Sequence, residues 1–209
     1  MAKFVPKAQE DPMATLCRMV HRTTFEDLPN NVVQHAKRSI LDTLAVTIGG
    51  SGMEGIPAVV DLVKDKGGKP ESLIPFYGGR VPASEAGLAL GPMARAMDFG
   101  DCHLEGEHCS EYTVPTLLAS TGLKRKVTGK ELITAYVVGQ EVLIRIGIAA
   151  RQMSRGCANE SGSYGGHYIF GAAAAAGKLM DLTLAELENA EGIARGMTQP
   201  HDLAMYKYA

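Results

Sequence analysis

Apolar residues that recur at three- and four-residue steps, segment after segment, restrict this chain more than any other feature. Val32, Val33, Ala36, Ile40, Leu41, Leu44, Ala45 and Ile48 form the longest series. That is the period of an amphipathic helix. Asn30 and Asn31 are placed to cap it, and Gly49-Gly50 to end it. The same period runs through Leu16, Met19 and Val20, and through Val59, Val60, Leu62 and Val63 before Gly67-Gly68. Pro82-Ala83-Ser84-Glu85 opens a helix to Met97 whose small residues (Ala86, Gly87, Ala89, Gly91, Ala94) predict tight helix–helix packing. The segment 113–123 reads as helix with Pro115 in its first turn. Thr128 with Glu131, and Thr183 with Glu186, are capping-box pairs that open helices to about Met153 and Arg195. Ala172 to Ala176 makes 168–180 a strong helix former. Only 72–77 reads as strand, closed by Gly78-Gly79. The sum predicts an all-α fold of about eight helices. Residues 1–27 would be an arm and a short helix, and 28–209 the domain.

Composition narrows the function classes. A length of 209 residues suits one domain. The formal charge is −2 and the pI about 6.3, which leaves no basic surplus for nucleic acid. A hydrophobic share of 45% with 21% charged residues excludes disorder as a class. Trp is absent, so the core is built from Leu, Ile, Val, Met and Ala. Read as a sequence, no apolar run reaches the ~18 residues of a membrane span, and no apolar signal core follows Met1. The expectation is a cytoplasmic protein with no membrane partner. The four cysteines then default to thiols, and no CxxC pair suggests a zinc ribbon.

Two polar stretches carry the chemistry. The first, Asp98-Phe-Gly-Asp101-Cys102-His103-Leu-Glu105-Gly-Glu107-His108-Cys109, packs four carboxylates, two imidazoles and two thiols into twelve residues. Three readings of it stay open: a solvated acidic loop, a metal site using Asp98, Asp101, His103 and His108, and a metal-free acid–base site. The second, Ser161 to Tyr168, leads through Gly165, Gly166 and His167 into the Ala-rich helix. A helix N-terminus there offers N–H groups to an anion. Lys207, with Arg195 and His201 upstream, adds cationic groups. Carboxylates, imidazoles and a lysine together suggest a small polycarboxylate substrate. A proton taken from the carbon beside a carboxylate leads to elimination, decarboxylation or epimerisation.

Four segments, in this order and spacing, resemble the MmgE/PrpD family, which includes 2-methylcitrate dehydratase, cis-aconitate decarboxylase and iminodisuccinate epimerase. They are Ala36 to Gly50 with its Leu-Asp-Thr-Leu, Ala94-Arg-Ala-Met-Asp98-Phe-Gly-Asp101, Val114-Pro115-Thr-Leu-Leu-Ala119, and Phe170 to Thr183. The resemblance implies an all-α domain that carries the active site beside a smaller lid domain. It also implies a homodimer and no metal or organic cofactor. It makes Asp98 and His108 catalytic candidates and Asp101 and Lys207 substrate-binding ones; the polar loops themselves add His167 to the first group and Cys102 and His103 to the second. The sequence departs from the family pattern in three places. Gly100 replaces an Asp, Cys109 stands where Pro is usual, and Gly162 stands where a His is normal, with His167 nearer the helix. Against the family, the chain reads as the first half of a longer protein that stops before the lid. A complementing chain could supply that lid. The alternatives are a truncated or split member that acts only by subunit association, and the metal enzyme named above.

Overall fold

The computed structural model describes residues 11–104, 107–124, 126–154 and 165–198. Among them are eight α-helices: α1 (Pro12–Arg22), α2 (Asn30–Gly50), α3 (Ile56–Lys66), α4 (Ala83–Arg95), α5 (Ser110–Ser120), α6 (Gly129–Ser154), α7 (Tyr168–Leu179) and α8 (Leu184–Met197). Two antiparallel hairpins of two-residue strands interrupt them. β1 (Ser72–Leu73) pairs with β2 (Arg80–Val81), and β3 (Cys102–His103) with β4 (Glu107–His108). The fold is all-α, as the periodicity predicts.

Local chemistry explains the helix starts. Asp11 Oδ1 accepts the Met13 N–H at 2.9 Å and caps α1. Both capping boxes form. Glu131 Oε2 accepts the Thr128 N–H at 2.7 Å while Thr128 Oγ1 accepts the Glu131 N–H at 3.2 Å. Thr183 and Glu186 repeat this at 2.9 and 3.3 Å. The start of α2 differs from expectation. Pro29 is the cap, its carbonyl accepting the Val33 N–H at 3.1 Å, so Asn30 and Asn31 already lie inside the helix. α5 begins three residues earlier than the pattern suggested. Pro115 therefore sits in its body rather than its first turn, and the Glu111 carbonyl lacks the N–H it would have met four residues on.

The most extensive helix pair is α6 with α7. A Cβ on Gly171 would stand 2.5 Å from Leu143 Cβ and 2.8 Å from the Gly139 carbonyl oxygen. One on Gly139 would stand 2.7 Å from Ala175 Cβ. The two glycines therefore let the backbones touch. The small-residue face of α4 is used in part. Ala86, Ala89 and Ala94 are buried among α2, α3 and α5, while a Cβ on Gly91 would meet open space. The core runs from Val60, Val63 and Met93 at one side, through Leu117, Tyr136 and Leu179, to Val20, Val138 and Leu187 at the other.

α6 corrects one expectation. Gly129–Ala150 has a mean hydropathy of 1.5 and is long and apolar enough to cross a membrane, but half of it is buried inside this fold. It is the helix around which α1, α2, α5 and α7 pack. Within α8, Glu191 is 3% exposed and its Oε2 has no hydrogen-bond partner among the described residues. Burial pushes its carboxyl up to about 8.

Two outcomes follow. Gly171→Ala should destabilise by about 1–3 kcal/mol in urea titration, because overpacking has no slack to absorb it. Gly91→Ala should be neutral or stabilising; equal losses in both would refute the close crossing. Glu191 keeps a proton in the folded state that the unfolded chain releases near the ordinary value of 4.5. The neutral group's contribution is complete below that pH and is lost as pH rises through about 8. Glu191→Gln should therefore flatten the fall in thermal stability between those limits and outlast the wild type at alkaline pH. Parallel pH curves would contradict it.

Candidate active site

The first turn of α5 is the organising element. Consecutive helix residues project about 100° apart, so Ser110, Glu111 and Tyr112 face three different neighbours.

Ser110 faces the 101–109 hairpin and α6. Asp101 Oδ1 accepts the Ser110 N–H at 3.0 Å, and its Oδ2 accepts the Ser110 hydroxyl at 2.5 Å. This is a cap supplied from nine residues upstream, and it is why α5 starts at Ser110. The Ser110 hydroxyl is also 2.6 Å from Tyr136 OH. Ser39 of α2 hydrogen-bonds Tyr136 as well. Burial pushes the Tyr136 phenol up to about 12, so it stays a neutral donor. This flank borders a cavity of about 480 Å³ whose lining includes His35, Ser39, Cys102, His103, Tyr136 and Gln140. Gln140 is held by its donation to Thr113 Oγ1 at 3.2 Å. Burial pushes the Cys109 thiol up to about 12, which makes it a poor nucleophile near neutral pH. Cys102 is exposed.

Glu111 faces α4. Its residue is 3% exposed, and neither carboxylate oxygen has a hydrogen-bond partner among the described residues. Arg95 Nε lies 3.4 Å from Oε1 and His108 Nδ1 lies 3.7 Å from the same oxygen. Burial pushes the carboxyl upward, with Asp101 and Asp98 adding to it and Arg95 and His108 opposing. Gly100 makes the room: a Cβ there would stand 2.5 Å from Glu111 Oε2. Arg95 also pairs with Asp98. Asp98 follows α4 with φ of 50°, a left-handed conformation that Asp tolerates better than most residues, and its N–H bonds to the Arg95 carbonyl at 2.9 Å.

Tyr112 faces α7. Its ring stacks on Tyr168 with centroids 4.0 Å apart and planes 6° from parallel. The His167 ring lies 4.1 Å from Tyr168 at 42°, and His167 is buried. A short 3₁₀ turn, Gly165–His167, leads into α7 at this point.

The sequence candidates thus fall into three groups. Asp98 and His108 meet through Arg95 and Glu111. Asp101, Cys102 and His103 line the cavity on the other side of the α5 start, and both oxygens of Asp101 are engaged by Ser110. His167 sits at the head of α7. Lys207, most of the 155–167 stretch including Gly162, and His201 lie outside the described residues. The four-residue metal set does not assemble: among the described residues no three His, Cys, Asp or Glu side chains converge as metal ligands. Asp101 is committed to Ser110 and Asp98 to Arg95. Sequence reasoning missed Arg95, Glu111 and Tyr136. Glu111 stands three residues after His108, but with the helix expected to begin at Thr113 it read as loop.

The sequence model of the MmgE/PrpD N-terminal domain matches residues 14–207. A cis-aconitate decarboxylase-like protein of Aspergillus oryzae is 30% identical over 194 residues, covering 87% of this chain and 39% of that protein. The cis-aconitate decarboxylase of Mus musculus is 31% identical over 134 residues, 61% of this chain and 27% of that protein. That of Aspergillus terreus is 26% identical over 195 residues, 90% and 39%. The chain spans about two fifths or less of the length of these curated relatives.

Removing the distant cap tests how the site is built. Asp101→Ala should cost about 1–2 kcal/mol of stability in denaturant titration. A Tyr136→Phe change should add less in that background than in the wild type, since both act on Ser110. Full additivity would mean that the three side chains do not form one unit.

Proposed function

The chain belongs to the MmgE/PrpD family, and from that premise we propose that it is the helical part of a lyase acting on a small di- or tricarboxylate. Cis-aconitate is the first acid to test, because it is named for the relatives in both Aspergillus species and in mouse. The observation that carries the reading is the grouping of Asp98 and His108 with Arg95 and the buried Glu111. An exposed carboxylate and a half-exposed imidazole stand together there, the second backed by a carboxylate shielded from water.

The chemistry balances without a redox partner. In a decarboxylation the bond between a carbon and its carboxylate breaks, CO₂ leaves, and the electron pair stays on carbon, delocalised towards the remaining unsaturated acid. That carbon then takes a proton from a general acid, for which His108 is the candidate. Dehydration and epimerisation use the same groups in the opposite sense, with a base first removing a proton beside a carboxylate. Asp98 serves as the second acid or base. In this reading His167 and Lys207 anchor substrate carboxylates, Cys102 and His103 border the binding region, and Asp101 holds α5 in place.

The test is proton exchange in D₂O. Purified protein is incubated with cis-aconitate, citrate and related acids, and the carbon-bound protons are followed by NMR. At least one acid should exchange or turn over, and Asp98→Asn should slow it by about 100-fold or more with the fold retained. Unchanged exchange in Asp98→Asn would remove Asp98 from the mechanism. A wild-type protein that binds and exchanges none of the acids would favour a non-catalytic role in subunit association and overturn the reading.

A further inference from the structure

Glu111 takes no proton in the steps above, yet it is a buried carboxylate whose two oxygens have no hydrogen-bond partner among the described residues. We propose that Glu111 is a positioning residue for His108. Its buried carboxylate keeps the proton of the neutral imidazole on Nδ1, so Nε2 is the nitrogen that exchanges a proton with a ligand. The inference deepens the acid–base reading and rests on it.

Four observations support the assignment. First, the Glu111 side chain is 1% exposed, so water does not solvate its charge, and neither oxygen has a hydrogen-bond partner among the described residues. Burying such a group uncompensated costs several kcal/mol, so a buried carboxylate without hydrogen bonds calls for a specific explanation. Second, the groups that face it are few. They are Arg95 on α4 and His108 on β4, both within 4 Å, with Asp98 and Asp101 of the intervening turn raising the local negative charge. His108 is a half-exposed ring whose Nδ1 is turned inward to this carboxylate at 3.7 Å and has no other partner among the described residues.

Third, the geometry is rigid. Only Cys109 and Ser110 separate the two residues, Cys109 is buried, and Ser110 is pinned by both oxygens of Asp101. The imidazole and the carboxylate therefore cannot drift apart without uncapping α5. Fourth, Gly100 leaves the volume that Glu111 Oε2 occupies, and any side chain there would displace it.

These facts give the carboxylate a role that an apolar residue could not fill. A carboxylate beside one ring nitrogen selects the tautomer that carries the proton on that nitrogen. A proton taken up at Nε2 lowers, without cancelling, the excess of carboxylates (Asp98, Asp101 and Glu111) over the Arg95 cation. Arg95 bridges Glu111 and Asp98, so the exposed acid and the imidazole share one electrostatic unit.

The experiment reads the ring directly. His108 is assigned in ¹⁵N–¹H spectra by comparison with His108→Gln, and the neutral ring is examined at alkaline pH in wild type, Glu111→Gln and Gly100→Ala. Wild type should show the proton on Nδ1. Glu111→Gln should lose that form, with Nε2–H becoming the major one. Gly100→Ala, which keeps the carboxylate but pushes it aside, should shift the balance in the same direction and covers the case in which Glu111→Gln does not fold. For any acid that the wild type turns over, kcat should fall about 10-fold or more in Glu111→Gln with KM little changed. The same tautomer in wild type and in folded variants would overturn the assignment, whatever the activity. A shifted tautomer alongside a wild type that processes no acid would support the positioning role and refute only the proposed reaction.

Discussion

The close crossing of α6 and α7 is the constraint on which the other helices depend. Gly139 and Gly171 face each other with no room for a Cβ on either. A glycine inside a helix costs roughly 0.5–1 kcal/mol relative to alanine. Here two of them let two backbones and the side chains around them, Leu143 and Ala175 among others, come into dispersion contact over several turns. α6 can then be surrounded: α1, α2 and α5 pack on it as well as α7. Tyr168, the first residue of the same α7, stacks on Tyr112.

From there the constraint passes to the first turn of α5. That turn is held from three sides: by the Tyr168 ring on Tyr112, by Tyr136 and Asp101 on Ser110, and by Arg95 on Glu111. Because neighbouring helix positions diverge, a small rotation of α5 would disturb all three contacts together. A buried carboxylate is tolerable in such a place for two reasons. Arg95 and His108 supply nearby positive or protonatable groups, and the N-terminus of α5 carries the favourable end of the helix dipole.

How much of this is legible in the sequence depends on how local the cause is. The helices of the described chain follow apolar periodicity, and the Thr128–Glu131 and Thr183–Glu186 caps form because each is complete within four residues. The start of α5 is not local. Its cap is Asp101, nine residues earlier and across a hairpin, so the local pattern puts the start at Thr113 instead. The 72–77 segment that reads as strand is strand only at Ser72–Leu73, and the β3–β4 hairpin, with strands of two residues, is too short for an alternating pattern to register. Gly139 and Gly171 are single glycines 32 positions apart, and nothing in either segment announces that they meet. The membrane-span length of α6 was equally hidden, since Lys130, Glu131, Glu141 and Arg145 break the eye's reading of it as one apolar run. In the candidate site, residue types alone were enough to single out Asp98, Asp101, His103 and His108. Their division between two sides of α5 was not readable, because it follows from the α5 start.

The replacement of Asp by Gly100 in the Asp-Phe-Gly-Asp turn reads in the sequence as a lost charge. The space beside Arg95 that a side chain at position 100 would enter holds the Glu111 carboxylate instead, arriving from α5 rather than from the turn. A carboxylate on the turn would move with an exposed loop, whereas Glu111 is fixed by helix geometry and by the Ser110 cap beneath it. Glu111 is within reach of His108 Nδ1 because both residues lie on one short, pinned stretch of chain. In the proposed positioning role, the absence of a side chain at Gly100 is what lets a buried carboxylate stand beside the imidazole.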